Sequence, residues 1–166
     1  MMSAEINYDN DGMRRQDRQM SREEAIDLLR RGEYGVLSLV GGGGVPYGVP
    51  MCYAWDGAAS LYLHCAPEGE KLALLEANPE ASFCIVGRTG VLAQKFSMEF
   101  ESLVARCRAA VVDGEEEKKR GLLLLAAKYS PAYAEEGRQY VERAHAKTTV
   151  VRLDVVSMSG KRRFAK

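Results

Sequence analysis

The chain has 166 residues, of which 46% are hydrophobic and 28% are charged, and its 23 basic residues balance 23 acidic ones. This composition is typical of a single folded domain and argues against a wholly disordered chain. The zero formal charge argues against a nucleic-acid binder that relies on phosphate neutralisation, although a local basic patch stays open.

The chain also lacks the apolar segments that membrane insertion and secretion require. Its longest apolar runs, such as residues 122–127, are far shorter than the ~20 residues that cross a bilayer. Residues 1–20 mix acidic and basic side chains without the apolar stretch of a secretory signal. We therefore expect a cytoplasmic protein with neither a membrane nor a nucleic acid as its partner.

Cysteine and histidine patterns limit the chemistry of the side chains. The four cysteines include no C-x-x-C pair, so no metal site is predicted, and we expect them to be reduced and mostly buried. Only two histidines, His64 and His145, are available for acid–base catalysis. This scarcity favours a site in which a bound cofactor supplies the chemistry.

The N-terminal part of the chain predicts an arm followed by a helix. Residues 1–13 are polar and aperiodic, which predicts a flexible N-terminal arm, and residues 14–166 are predicted to form a single domain. Ser21 and Glu24 have the spacing of a capping box, an apolar stripe follows, and Gly32 is a suitable helix end.

The next segments predict a hairpin and a further strand. Residues 34–40 and 45–53 read as strands joined by four glycines. Pro46 and Pro50 place the second strand at an edge, at a bulge, or where something other than a strand meets the backbone. Residues 60–66 form another predicted strand, in which His64 shares a face with Tyr62.

The rest of the chain alternates between helices and strands. Strands are predicted at 81–86, 102–112 and 148–156, with a polar connection over 88–101. Helices are predicted at 71–77, from a cap at Asp113 to about Tyr129, and on to about Ala144. With about six mostly antiparallel strands and flanking helices, the pattern favours a mainly β (α+β) fold, a small closed barrel, over a doubly wound sheet.

The most informative segment runs from His64 to Lys71. A strand ends here, and a glycine leads into the first turn of a helix, where unpaired amides and the helix dipole favour an anion. Lys71 would add a formal positive charge. A plain loop with a solvated lysine explains the same residues, so both interpretations stay open at this point.

An ordered set of motifs resembles the pyridoxamine 5′-phosphate oxidase-like split-barrel flavoproteins, and within them the nitroimidazole-resistance branch. The similarity covers roughly residues 13 to 163. The matching segments are Met13–Arg18, Gly35–Leu39, Pro46–Tyr53, Leu61–Ala66 with Gly69 and Lys71, Asn78–Pro79, Phe96–Met98, Glu101–Ser102 and Gly160–Arg163.

The resemblance implies a six-stranded antiparallel split β-barrel that forms a homodimer and binds FMN at the subunit interface. By matching position, one group of residues would lie along the isoalloxazine: Val49, Pro50, Met51 and Tyr53. A second group would line the ribityl phosphate: His64, Ala66, Gly69 and Lys71. A third group, in part from the other subunit, would close the site: Phe96, Ser97 and Ser102.

The implied function is an FMN-dependent oxidoreductase that takes electrons from NAD(P)H or a similar donor and passes them to a small acceptor, such as a nitroaromatic. His64 is the candidate catalytic residue, and a haem ligand or a structural strand histidine are its alternatives. A non-catalytic flavin- or haem-binding protein is the alternative for the whole chain. Two groups of basic residues near the chain ends either approach an anionic cofactor or are solvated: Arg14, Arg15 and Arg18, and then Lys161, Arg162 and Arg163.

Overall fold

The computed structural model describes residues 6–164. Within that range the chain forms seven strands: β1 (Gly35–Val40), β2 (Pro46–Met51), β3 (Ala54–Trp55), β4 (Ser60–Cys65), β5 (Glu80–Leu92), β6 (Ser97–Val111) and β7 (Thr149–Arg163). The same residues form four α-helices: α1 (Arg22–Arg31), α2 (Glu70–Ala77), α3 (Glu115–Tyr129) and α4 (Ala134–Ala144). The predicted fold class, a mainly antiparallel β fold with flanking helices, is confirmed.

The strands form one antiparallel sheet in the order β2-β1-β5-β6-β7-β4-β3. β2 and β3 lie at opposite edges of this sheet, yet only Cys52 and Tyr53 separate them in the chain. Because two linking residues span only about 10 Å, the sheet must curl until its edges nearly meet. We call the resulting opening, bordered by Val49–Tyr53 and by His64–Lys71, the seam.

The interior of the curled sheet is the main hydrophobic core. Tyr53 and Phe83 meet there edge to face, with their ring centroids 5.2 Å apart. Helix α1 covers one side of the barrel with Ala25, Leu28 and Leu29, which are fully buried. A second, smaller core lies outside the barrel, where α3 packs on β3, β4 and β7 and α4 packs on α3.

The predicted capping box of α1 is confirmed. The Ser21 Oγ accepts a hydrogen bond from the Glu24 N–H at 3.2 Å, and the Glu24 carboxylate accepts one from the Ser21 N–H at 2.8 Å. α3 begins differently, because its N-cap is Gly114, which has no side chain to donate or accept. The predicted cap at Asp113 is therefore wrong.

Two of the strand predictions are also corrected. The predicted strand 45–53 is two strands, β2 and β3, because the chain leaves one sheet edge and joins the other; this gives seven strands instead of six. The predicted polar connection 88–101 is a β5–β6 hairpin with a bulge between Val86 and Thr89. Glu101, only 4% exposed, stabilises this bulge by accepting hydrogen bonds from the Arg88 N–H at 2.8 Å and from Arg31 at 2.7 Å.

Part of the predicted N-terminal arm packs against the barrel. Residues 1–5 of that arm lie outside the described residues. Ile6 is 2% exposed, the Asp9 N–H donates to the Met158 carbonyl at 2.9 Å, and the Met158 N–H donates to Asn7 at 2.8 Å. The arm is thus attached to β7 from residue 6 onward, because its one large aliphatic side chain fills a place in the core.

Among residues 6–164, no helix is both long enough and apolar enough to cross a bilayer.

Candidate functional site

One side of the seam is the outer strand β2. Val49 and Met51 are half-buried and pack against the barrel core, whereas Pro50 between them is exposed. Among the strands of residues 6–164, β2 pairs with β1 alone, with Val36 opposite Pro50. Because proline has no N–H and side chains alternate along a strand, β2 presents an open edge next to two apolar side chains.

Tyr53, at the end of this segment, is a core residue. Its ring is fully buried and its hydroxyl donates to the Leu29 carbonyl at 2.7 Å. Its backbone N–H donates to the Tyr129 hydroxyl at 3.0 Å, and that hydroxyl lies 3.1 Å from the Tyr53 carbonyl oxygen. The structure therefore does not bring the predicted cofactor residue Tyr53 to the open surface of the seam with Val49, Pro50 and Met51.

The other side of the seam is the end of β4 and the start of α2. Ala66 and Gly69 are exposed, and Lys71 is half-buried in the first turn of the helix. Gly69 has φ +135°, a conformation that side chains rarely adopt, and as N-cap it cannot cover the first amides of α2. The positive end of the α2 dipole is consequently open beside Gly69.

Lys71 lies close enough to the barrel to affect Cys65. Burial raises the pKa of the Cys65 thiol, and the positive charge of Lys71 acts in the opposite direction. Cys65 follows His64 at the end of β4. The start of α2, with its lysine, therefore lies next to the end of β4. The ribityl-phosphate role expected for His64, Ala66, Gly69 and Lys71 stays a prediction.

His64 and Cys52 face each other across the seam. Both line a cavity of about 680 Å³ beneath α3 and α4. His64 is exposed, and Cys52 is also exposed, which corrects the expectation that the cysteines are mostly buried. Of the four thiols, only that of Cys107 is fully buried.

Sequence reasoning missed Lys128, which lies behind the seam. Its Nζ lies 3.5 Å from the centroid of the Tyr53 ring and has no hydrogen-bond partner among residues 6–164. Burial lowers the pKa of Lys128 to about 8. No motif marks this lysine, because its surroundings come from Cys52 and Tyr53, which link β2 to β3, and from the distant end of α3.

The third predicted group does not join the seam within one chain. Phe96 is 99% exposed at the tip of the β5–β6 hairpin, in a left-handed conformation with φ +46°. Ser97 accepts a hydrogen bond from Arg163, and Ser102 pairs with Val86 and Lys161. β6 is separated from β2 by β1 and β5, and from β4 by β7.

The two basic segments near the chain ends meet. Arg15, Arg18, Arg162 and Arg163 line one cavity of about 500 Å³, which a bridge between Gln19 and Lys161 helps to form. Both segments also have acidic partners: Asp17 lies 2.6 Å from Arg15, and Glu24 lies 2.7 Å from Arg162. These ion pairs reduce the net charge that the cavity offers to an anion.

The fold and the seam agree with a comparison against protein families. A family model described as pyridoxamine 5′-phosphate oxidase matches residues 21–162, which is most of the chain. The chain belongs to this family. The match includes the seam, α2, the β5–β6 hairpin and all but the end of β7. No curated protein was found that is similar enough to this family member to count as a match.

Solved structures share the fold of this pyridoxamine 5′-phosphate oxidase family member at low sequence identity. A putative 5-nitroimidazole antibiotic resistance protein from Bacteroides thetaiotaomicron is 23% identical with a TM-score of 0.72, over 85% of this chain and 83% of that one. The FAD and heme binding protein from Mycobacterium smegmatis is 22% identical with a TM-score of 0.75, over 87% and 72%. The conserved hypothetical protein Rv2991 from Mycobacterium tuberculosis is 22% identical with a TM-score of 0.75, over 89% and 88%.

The seam of this family member has the features that a phosphorylated flavin requires. The β2 edge with Val49 and Met51 offers an apolar surface for a planar ring. Gly69 leaves open space, since an added Cβ there would meet no described atom within 4 Å. Lys71 and the α2 amides offer positive charge for a phosphate. The residues present therefore fit such a group.

Proposed function

We propose that this protein is an FMN-binding oxidoreductase that acts as a homodimer. FMN would lie along the seam, and electrons would pass from NAD(P)H or a similar donor to a small acceptor such as a nitroaromatic. The observation that carries the proposal is an open helix start with Gly69 and Lys71 that directly follows β4, whose His64 shares a cavity with Cys52 at the end of the edge strand β2.

The phosphate end is supported by charge and backbone geometry. A phosphate monoester carries up to two negative charges near neutral pH. Its oxygens would accept hydrogen bonds from the amides of α2 and from the ammonium of Lys71. Gly69 supports close approach because it has no side chain at the helix start, and its φ of +135° is one that other residues rarely adopt. Ala66, small and exposed, adds no obstacle beside it.

The ring end is supported by the edge of β2 and by His64. Val49, Pro50 and Met51 would position the ring, with backbone groups meeting its polar edge and the half-buried side chains excluding water. A bound flavin would supply the electron transfer itself. His64, exposed at the floor of the adjacent cavity, would donate or accept a proton on the acceptor.

The homodimer is supported by the apolar side chains that the β5–β6 hairpin exposes. Val91 is 80% exposed and Phe96 is 99% exposed. Large exposed apolar side chains grouped on one projecting element favour burial against another protein. In the proposed dimer this hairpin reaches the seam of the second copy, where Phe96, Ser97 and Ser102 close the flavin site.

A spectrum of the purified protein tests the proposal first. Bound flavin gives a yellow protein, and mass spectrometry of the released compound separates FMN from FAD. Bleaching by NAD(P)H and recovery on adding 4-nitrotoluene would support an oxidoreductase. A flavin that no donor reduces would favour the non-catalytic alternative, and failure to bind any flavin would reject the proposal.

The Lys71→Ala variant tests the phosphate site. Removal of one charge-assisted contact is expected to cost about 1.5–3 kcal/mol, which is roughly a 10- to 150-fold weaker FMN affinity. Titration of apoprotein with FMN and with riboflavin measures the effect, which should be absent for riboflavin because it lacks the phosphate. Lys147→Ala, at an exposed lysine, is the matched control. Equal loss with both ligands would place Lys71 outside the phosphate site.

Haem is the second candidate ligand, and one observation favours it. His64 lies exposed on the floor of a mainly apolar cavity of about 680 Å³, which is a suitable arrangement for an axial ligand. Haem titration should then give a sharp Soret band that His64→Ala loses and His145→Ala keeps. A spectrum with free-haem character in the unmodified protein would exclude this candidate.

A further inference from the structure

The cavity beneath α3 and α4 has the size and position of a binding site for a second ligand. Its volume of about 680 Å³ lies within the ~300–1,000 Å³ range of small-molecule sites. Its walls come from α3, α4 and the turn between them, and its floor includes Cys52 and His64 at the seam. A molecule in this cavity would therefore approach the proposed ring position from the helical side.

The walls of this cavity are aromatic and aliphatic. Tyr129, Tyr133 and Tyr140 line it and remain 40%, 63% and 66% exposed, respectively. Leu125 and Val141 lie deeper and are buried. Aromatic faces left partly in water next to a concave apolar surface favour a planar apolar ligand, since stacking would remove both from water.

The formal charges of the lining cancel. One acidic side chain, Glu136, and one basic side chain, Arg143, contribute to the cavity wall. Lys128 lies behind Tyr53 and does not line the cavity. Because the lining has no net charge, it gives an ionic ligand no overall electrostatic attraction to offset its desolvation, so an uncharged molecule is favoured.

Small side chains let α3 and α4 approach each other closely beside the cavity. Gly137 on α4 lies opposite Ala126 on α3, and an added Cβ at Gly137 would be 3.4 Å from the Ala126 Cβ. Both residues line the cavity. A larger side chain at Ala126 would project into this space, whereas one at Ala127, which is exposed and outside the lining, would not.

We propose that this cavity binds an uncharged, planar aromatic molecule, and that α3 and α4 thereby select the electron acceptor. The selection of an acceptor rests on the proposed oxidoreductase function, whereas the binding itself does not. Tyr133 and Tyr140 hold the ring, and the small residues Ala126 and Gly137 make room for it. His64 lies on the floor, where the bound molecule meets the seam.

Cys52 provides a reporter for the test. Its exposed thiol lines the cavity, so a bound molecule should slow its alkylation by neutral N-ethylmaleimide, measured by mass spectrometry of the Cys52 peptide. The probes are 4-nitrotoluene, which is uncharged, and 4-nitrobenzoate, which has the same ring with a negative charge. We expect at least tenfold slower labelling with saturating 4-nitrotoluene and less than twofold slowing with 4-nitrobenzoate at the same concentration.

Variants separate cavity binding from other effects. Ala126→Leu should abolish the protection by 4-nitrotoluene and Ala127→Leu should keep it. Tyr140→Ser, at a position that is 66% exposed, should weaken the protection about tenfold and serves as the test if Ala126→Leu fails to fold. Equal protection by both probes, or none by 4-nitrotoluene, would overturn the proposal.

Two further measurements distinguish the possible failures. Loss of the additional slowing by 4-nitrotoluene as the protein concentration rises would show that a second copy of the chain covers the cavity, and would also overturn the proposal. The labelling is done without flavin, so protection in a protein that binds no flavin would reject the proposed function and leave the cavity site standing. Flavin binding without slower labelling of Cys52 would reject the cavity site and leave the proposed function standing.

Discussion

Helices α1 and α4 both carry apolar residues along one face, but α1 packs on the barrel, whereas α4 packs on α3. α1 buries Ala25, Leu28 and Leu29 completely. In α4, by contrast, Val141 is the buried residue and Tyr140 stays 66% exposed above the cavity. An apolar stripe therefore shows that a helix has something to cover, but the neighbouring elements decide whether protein or another molecule covers it.

The largest expected effect is on the free energy of unfolding. It tests whether the packing of α1 stabilises the protein and the packing of α4 does not. Leu28→Ala removes a fully buried side chain and should lower the free energy of unfolding by about 3 kcal/mol. Tyr140→Ala should change it by less than about 0.5 kcal/mol, because most of that side chain is in water. Urea denaturation followed by circular dichroism measures both variants. A similar loss in the two would contradict the difference between the helices.

The next effect concerns the ion pair that joins α1 to the β5–β6 hairpin. The Arg31 guanidinium holds the pKa of Glu101 below its usual value despite burial. Glu101→Gln should therefore destabilise the protein by about 1–3 kcal/mol near pH 7. Because the folded-state pKa is lowered, this contribution is present above the unfolded-state pKa of about 4.5 and is lost as the pH falls below it.

The pH dependence of unfolding provides the measurement for Glu101. The difference in stability between the unmodified protein and Glu101→Gln should shrink as the pH is lowered from 6 to 3. Glu80→Gln is the matched control, because Glu80 pairs with Arg108 at 3.5 Å while both side chains stay mostly exposed. A difference that does not change with pH would mean that shape, and not charge, makes Glu101 important.

The smallest effect concerns Lys128, on the helix next to α4. Its folded-state pKa of about 8 is lower than that of a lysine in an unfolded chain, so its burial costs stability wherever both states are protonated. That cost is relieved as the pH rises through 8 toward 10.5, and the stability of the unmodified protein should increase accordingly. Lys128→Met should be more stable by on the order of 1 kcal/mol near pH 7, allowing for partial exposure.

Stability curves at pH 7 and pH 9.5 check the prediction for Lys128. Lys147→Met serves as the control at an exposed lysine. A Lys128→Met variant that is less stable at pH 7 would contradict the prediction. It would mean that the contact of the Lys128 ammonium with the Tyr53 ring outweighs the cost of burial, so that Lys128 stabilises the protein.

The sequence by itself determined the local features of this protein and its family. The capping box at Ser21 and Glu24, the glycine hairpin and the edge character implied by Pro50 depend on neighbouring residues, so they were predictable. The group from His64 to Lys71 was predictable for the same reason, because one strand end and one helix start are adjacent in the chain. The family was predictable because its motifs keep their order.

Only the tertiary structure decided which residues, far apart in the chain, lie next to each other in the fold. Curling of the sheet brings Cys52 next to His64, places Lys128 over Tyr53, and leaves a cavity where α3 and α4 bridge the seam. The tertiary structure also extends β5 and β6 through residues whose polarity predicted a loop. Glu101 can be buried there because it accepts hydrogen bonds from Arg31 and from the Arg88 N–H. Local patterns cannot contain this information, since burial and charge pairing depend on residues that are far apart in the chain.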